Sequence, residues 1–187
     1  KITGGKNGFG AKLTNIFSTY FEVQTIDRNR KLKYTQVYRD NMSIKEEPII
    51  EKYKESPYTR ITFIPDYAKF NLTGMSEDLE LLIKKRAVDM FACSRGQLDI
   101  YFNNEKIELE TFTDYMKLYI EPDMTTISCK PNDRWEIGAC MSPNFQFQQV
   151  SFTNGICTQR GGKLSAIERR KNLTNGIRFC IIVVEGE

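Results

Sequence analysis

The sequence predicts an α+β fold, and three patterns carry that reading. β-branched and aromatic runs are separated by charged turns, two stretches place apolar residues three and four apart, and the overall balance suits a folded chain. Of 187 residues, 40% are hydrophobic and 27% charged, enough for one sizeable core or two small ones. The net charge is +3, so attraction to nucleic acid is permitted without being indicated. There is no histidine, and Cys93, Cys129, Cys140, Cys157 and Cys180 form no CxxC pair. The common zinc patterns and histidine-based triads are thereby excluded within the chain, and the thiols read as reduced, intracellular small hydrophobes. No signal peptide and no apolar run near 18 residues is present, so no membrane partner is expected.

The first element is a glycine-rich loop, Gly4 to Gly10, running into Leu13, Ile16, Phe17 and Tyr20. That spacing predicts one apolar helix face through Tyr20, packed on a sheet. Phe21–Ile26 and Leu32–Tyr38 then read as strands joined by a charged turn, and a polar connection with Pro48 and Pro57 leads to a strand ended by Pro65. Ser76 opens a second helix with Glu77, Asp78 and Glu80 in its first turn and a stripe of Leu79, Leu82, Ile83, Ala87, Met90 and Phe91. Asn103-Asn104 marks a hairpin, and Thr111 with Asp114 forms a capping box for a short helix holding Phe112, Tyr115, Leu118 and Tyr119. Thr125–Cys129, Arg134–Cys140 and Phe147–Phe152 are further strands. Trp135, Phe145, Phe147 and Phe152 read as sheet packing, Lys84-Lys85-Arg86 as a solvated helix face and Arg169-Arg170-Lys171 as a charged linker.

The opening loop has the ingredients of a phosphate site without a standard motif. Gly5, Gly8 and Gly10 invert the dinucleotide order, and Gly5 to Gly10 has P-loop spacing followed by Ala11-Lys12-Leu13 rather than Lys-Ser/Thr. Glycines let backbone N–H groups approach a polyphosphate, a helix start adds its positive dipole end, and Lys6 and Lys12 add charge.

The stretch TGGKNGFGAKLTNIFST resembles the ATP-lid segment of eukaryotic and viral type IIA DNA topoisomerases, members of the GHKL ATPase group. RITFIPD around Thr62 is similar to the later GHKL strand whose threonine lies in the nucleotide pocket. FQQVSFTNGICTQRGGKL resembles the transducer segment, and RFCIIVVEGE resembles the strand that opens the TOPRIM domain. The resemblance implies the C-terminal half of a GHKL (Bergerat) ATPase sandwich over 1–66 and a partial ribosomal S5 domain 2-like transducer over 67–165. A linker and first TOPRIM strand would follow over 166–187.

It further implies that Gly5, Lys6, Asn7, Gly8, Phe9, Gly10, Ala11 and Lys12 close over ATP, with Thr62 lining the pocket. Glu185 would be the TOPRIM glutamate that assists strand cleavage and holds Mg2+. The implied partners are double-stranded DNA and a second copy joined through the ATPase gate, in the nucleus or at a viral replication site. ATP would close that gate and drive duplex passage through a transient break.

The departures count as well. The family's helix with a glutamate base and magnesium-binding asparagine does not precede Lys1, so the isolated chain is expected not to turn over ATP. No Q-T-K loop is present, the join near Ser165-Ala166 is short, and Glu187 stands where the family has aspartate. Two other readings stay open: a non-catalytic DNA-binding or dimerisation module, and a GHKL ATPase of chaperone or mismatch-repair type.

Overall fold

A computed structural model describes residues 7–121, 123–141 and 148–158, and the backbone of 179–185. The chain forms two compact units, Gly5–Ser76 and Glu77–Glu187. The first unit runs past residue 66 to Ser76, because the segment after its last strand folds back on it. A 3-10 turn at Tyr67–Phe70 sets the Phe70 ring 5.3 Å from Phe17, and Asn41 Nδ2 donates to Asp66 Oδ2 at 3.0 Å.

The first unit is a five-stranded sheet with one helix. Helix α1 (Phe9–Ile16) leads into β1 (Ser18–Asp27), which pairs antiparallel with β2 (Leu32–Arg39) and β5 (Thr59–Pro65). The helix expected through Tyr20 is thus too long. Ser18-Thr19-Tyr20-Phe21 is a β-branched and aromatic run that favours extended backbone. The ladder to Arg39 and Ile64 takes up Tyr20. The β1–β2 hairpin is as expected, and its charged turn is closed by Asp27 Oδ1, which accepts from the Asn29 and Arg30 N–H groups. Those bonds, Arg30's foremost, hold the Asp27 carboxyl below its usual pKa. The polar connection contributes two short strands, β3 (Ile44–Lys45) and β4 (Ile49–Lys52), both on β2. Buried Gln36 fastens it: its Nε2 donates to the Glu46 carbonyl at 2.6 Å, and its Oε1 accepts from Tyr34.

In the second unit, α2 (Glu77–Ser94) and α3 (Phe112–Lys117) accompany a sheet of order β11-β10-β12-β9-β8. Its strands are β8 (Thr126–Asn132), β9 (Trp135–Met141), β10 (Gln148–Thr153), β11 (Ile156–Cys157) and β12 (Phe179–Glu185). A separate hairpin, β6 (Tyr101–Phe102) with β7 (Glu105–Lys106), turns on Asn103 and Asn104, both at positive φ. That is the two-residue geometry Asn-Asn tolerates. The Thr111–Asp114 capping box forms as expected. Phe145 and Phe147 lie outside the described residues, whereas Phe152 is buried and Trp135 half-buried.

Two expectations change here. The α2 stripe is only partly inward: Leu82, Ile83 and Met90 are exposed, and Asp89, Phe91 and Ala92 are buried. The segment read as the opening of a separate TOPRIM domain instead runs inside this sheet, parallel to β10 and antiparallel to β9.

Phe91, Ala92, Tyr115, Met116 and Phe152 form the core of this unit. A charged residue sits beside it. The Asp89 carboxylate is 2% exposed and accepts from the Tyr115 and Tyr119 hydroxyls at 2.9 and 3.1 Å, from Lys85 at 2.9 Å and from Arg86 at 3.3 Å. Burial first, then Tyr119 and Asp89, pushes the Tyr115 phenol well above its usual pKa. Burial, followed by the Asp89 charge, pushes the Cys93 thiol up to about 11. Gly138 on β9 faces the same core, where a Cβ would overlap the Met116 sulfur. Met116 is 1% exposed and has little room to retreat. Gly138→Ala is therefore expected to cost about 1–3 kcal/mol in urea unfolding, with Met116→Ala in the same chain recovering part of it. Among the described residues no helix is long and apolar enough to cross a membrane.

Candidate phosphate site at a glycine-capped helix

Helix α1 begins unlike the other two helices of known start. In α3 the Thr111 and Asp114 side chains satisfy the first-turn amides, and α2 sets Glu77, Asp78 and Glu80 against its dipole. The N-cap of α1 is Gly8, at φ 64°, with no side-chain cap and no acidic residue in the first turn. Glycine holds that left-handed conformation with no Cβ clash. Nothing lies within 4 Å of where a Cβ at Gly8 or Gly10 would stand, and residues 7–12 are all exposed. The first-turn N–H groups have no helical acceptor and carry the dipole's positive end, and exposed Lys12 stands in the same turn. This arrangement can receive an anion bearing several oxygens, such as a phosphate chain.

The structure brings Asn7, Gly8, Phe9, Gly10, Ala11 and Lys12 together on this start, while Gly5 and Lys6 lie outside the described residues. Thr62 is on β5, one of the two strands that α1 packs against, and its exposed side chain shares a face with its cross-strand partner Glu22. Glu185 ends β12 opposite Trp135 and Thr153, in the sheet of the other unit. Of the basic run, Lys85 and Arg86 are committed to Asp89, and Lys84 lines a cleft together with Glu77 and Glu80 of the same helix and Glu105 of β7. Partial burial works to lower the Lys85 pKa, but the hydrogen bonds its ammonium donates to Asp89 and Tyr119 outweigh it and leave the pKa raised. The run is thus more a structural pin than an open cationic face. Arg169, Arg170 and Lys171 lie outside the described residues.

Sequence reasoning missed one residue of this helix. Asn15 is 5% exposed and is the buried residue of α1, whereas Leu13 and Ile16 are 52% and 40% exposed. No pattern in the sequence marks it, because an apolar face was expected to point inward there.

The chain is 44% identical over 171 residues to DNA topoisomerase 2 of Arabidopsis thaliana, covering 87% of this chain and 12% of that protein. It is 39% identical over 188 residues to DNA topoisomerase 2 of Acanthamoeba polyphaga mimivirus, covering 97% of this chain and 15% of that one. The chain is homologous to a segment of DNA topoisomerase 2. No protein-family model matches it. The solved ATPase region of Saccharomyces cerevisiae topoisomerase II superposes with a TM-score of 0.88 at 32% identity, covering 99% of this chain and 52% of that one. The ATPase and transducer domains of topoisomerase II from Balamuthia mandrillaris give 0.85 at 35% identity, covering 99% and 53%. The expected α+β fold of the ATPase and transducer type is therefore the fold of this topoisomerase 2 relative. At 99% coverage, β12 falls within the match. The chain spans 12–15% of the length of the two curated topoisomerases.

Proposed function

We propose that the chain forms the ATP-lid and transducer part of the nucleotide-operated gate of an ATP-dependent type II DNA topoisomerase. The observation that carries this reading is the open, acid-free start of α1 in a chain that matches the ATPase region along its length. In this reading the α1 amides and Lys12 hold the ATP phosphates, the glycines allow the backbone to come close, and Thr62 lines the pocket from β5. Fixed N–H dipoles and one cation are what a triphosphate and its developing charge require.

The remaining machinery is proposed at the level of the whole enzyme. Nucleotide binding joins the lids of two copies, closes the gate on a captured duplex, and couples hydrolysis to passage through a transient double-strand break. The setting is a nucleus or a viral replication site. Magnesium would arrive with the nucleotide. Glu185, set within the second unit's sheet, has no role in this reading.

The test is a chimera in which this chain replaces the 188 matched residues of the mimivirus relative. It is expected to hydrolyse ATP in a DNA-stimulated manner and to unlink catenated DNA circles. A folded, dimeric chimera that binds no nucleotide would refute the reading.

A further inference from the structure

Among the described residues, helix α1 is fastened at its C-terminal end. At its C-terminal end the Phe17 carbonyl accepts from the Asp66 N–H at 2.8 Å, and Ser18 Oγ donates to the Thr14 carbonyl at 2.5 Å. The N–H groups of Asp40 and Asn41 tie the following strand through the Thr19 and Ser18 carbonyls, both at 3.0 Å. At its N-terminal end residues 9–12 are exposed, and no side chain caps the helix. Between the two ends lies Asn15.

The inward and outward residues of this helix are the reverse of the usual order. Phe9, Leu13 and Ile16 are 60%, 52% and 40% exposed, while Asn15 is 5% exposed. Among the described residues, its buried Oδ1 has no hydrogen-bond partner. A buried acceptor without a donor works against the docked position of the helix, and the outward apolar residues contribute little to holding it there. α1 therefore rests on the sheet through a group that is unsatisfied where it stands.

We propose that Asn15 is a positioning residue for the lid: its unpaired carboxamide oxygen keeps α1 loosely docked, so that the helix pivots about its fixed C-terminal end and swings Gly8 to Lys12 towards a phosphate ligand. This rests on the reading of α1 as a nucleotide lid. Removal of the orphan acceptor without loss of volume tightens the docked state, because an apolar group of similar branching leaves nothing unpaired. A lid held back lowers apparent affinity by the fraction of molecules ready to bind.

The test is amide hydrogen exchange of residues 9–16 in the 187-residue chain. Asn15→Leu is expected to slow exchange there at least fivefold, with the β1–β2 hairpin unchanged. Asn15→Asp keeps the shape, replaces the amide donor with a second acceptor, and is expected to speed it by a similar factor. Wild-type exchange in these variants, or in whichever of them folds, overturns the proposal, as does faster exchange in Asn15→Leu, which would make the residue an ordinary structural support. In the mimivirus chimera Asn15→Leu is expected to raise KM for ATP at least fivefold with kcat retained, and an unchanged KM would overturn the link to the lid. If Lys12→Ala leaves ATP turnover intact while Asn15→Leu slows exchange, the phosphate reading fails and the pivot stands. If Lys12→Ala abolishes turnover and Asn15→Leu changes nothing, the pivot fails and the phosphate reading stands.

Discussion

Lys12→Ala in the mimivirus chimera is expected to lower ATP turnover about a hundredfold, the scale of losing one preorganised contact to developing charge. Lys12 stands in the first turn of α1, exposed, on a helix start that carries no carboxylate to neutralise it. Among the described residues its ammonium makes no ion pair or hydrogen bond, so the urea midpoint of the variant should match that of the parent. The pairing of a large kinetic loss with an unmoved midpoint separates a ligand contact from a structural lysine. Turnover at the parental rate, with DNA unlinking intact, would remove Lys12 from the site. Arginine at the same position should recover a part only, because a broad planar fork replaces a compact point charge.

Asp89→Ala is expected to destabilise the Glu77–Glu187 unit by about 2–4 kcal/mol. The alanine leaves the Tyr115 hydroxyl buried beside a void and removes the acceptor shared by Tyr119, Lys85 and Arg86. Lys85 and Arg86 are about half exposed and can turn to water, which keeps the estimate below that for a fully enclosed ion pair. Trp135, in the same unit and the one tryptophan of the chain, gives a fluorescence readout in urea. The pH dependence has a definite sign. The Lys85 pKa is raised in the folded protein, so its share of the pairing is complete below the ordinary value of 10.5 and fades as pH rises through the folded value. The gap between parent and variant should accordingly narrow above about pH 10.5. A midpoint shift below the resolution of the urea curve would show that the tyrosines find other partners.

Much of this architecture is legible where the cause is local. The Asn103-Asn104 hairpin, the Thr111–Asp114 capping box and the β1–β2 ladder each follow from a few neighbouring residues, and the structure has all three. The errors arise where two local signals compete or where distance decides. At Tyr20 a helical spacing coincides with a β-branched and aromatic run, and the ladder to β2 and β5 settles the competition in favour of the strand. In α2 the apolar residues outnumber what one face can bury, so spacing alone could not choose Phe91 and Ala92 over Leu82 and Ile83. β12 reads equally well as the first strand of a new domain or the middle strand of an old one, because a fully apolar run carries no mark of its neighbours. At the candidate site the glycines and Lys12 were readable from type and order. Asn15 was not, since its burial depends on where the helix stops.

The placement of β12 has a consequence for how the polypeptide is made. Chain order and spatial order disagree: the strand synthesised after all the others in this sheet is the one that must enter its centre, between β9 and β10. Until the ribosome has delivered residue 185, the nascent sheet is two separate pieces, each presenting a bare edge of backbone donors and acceptors. Closure then requires insertion rather than addition at a rim, and it joins segments distant in sequence, which is slow by nature. During that interval the half-built sheet is open to pairing with a neighbouring nascent chain, so the yield of correctly folded protein should depend on synthesis rate and on holding chaperones more than on final stability.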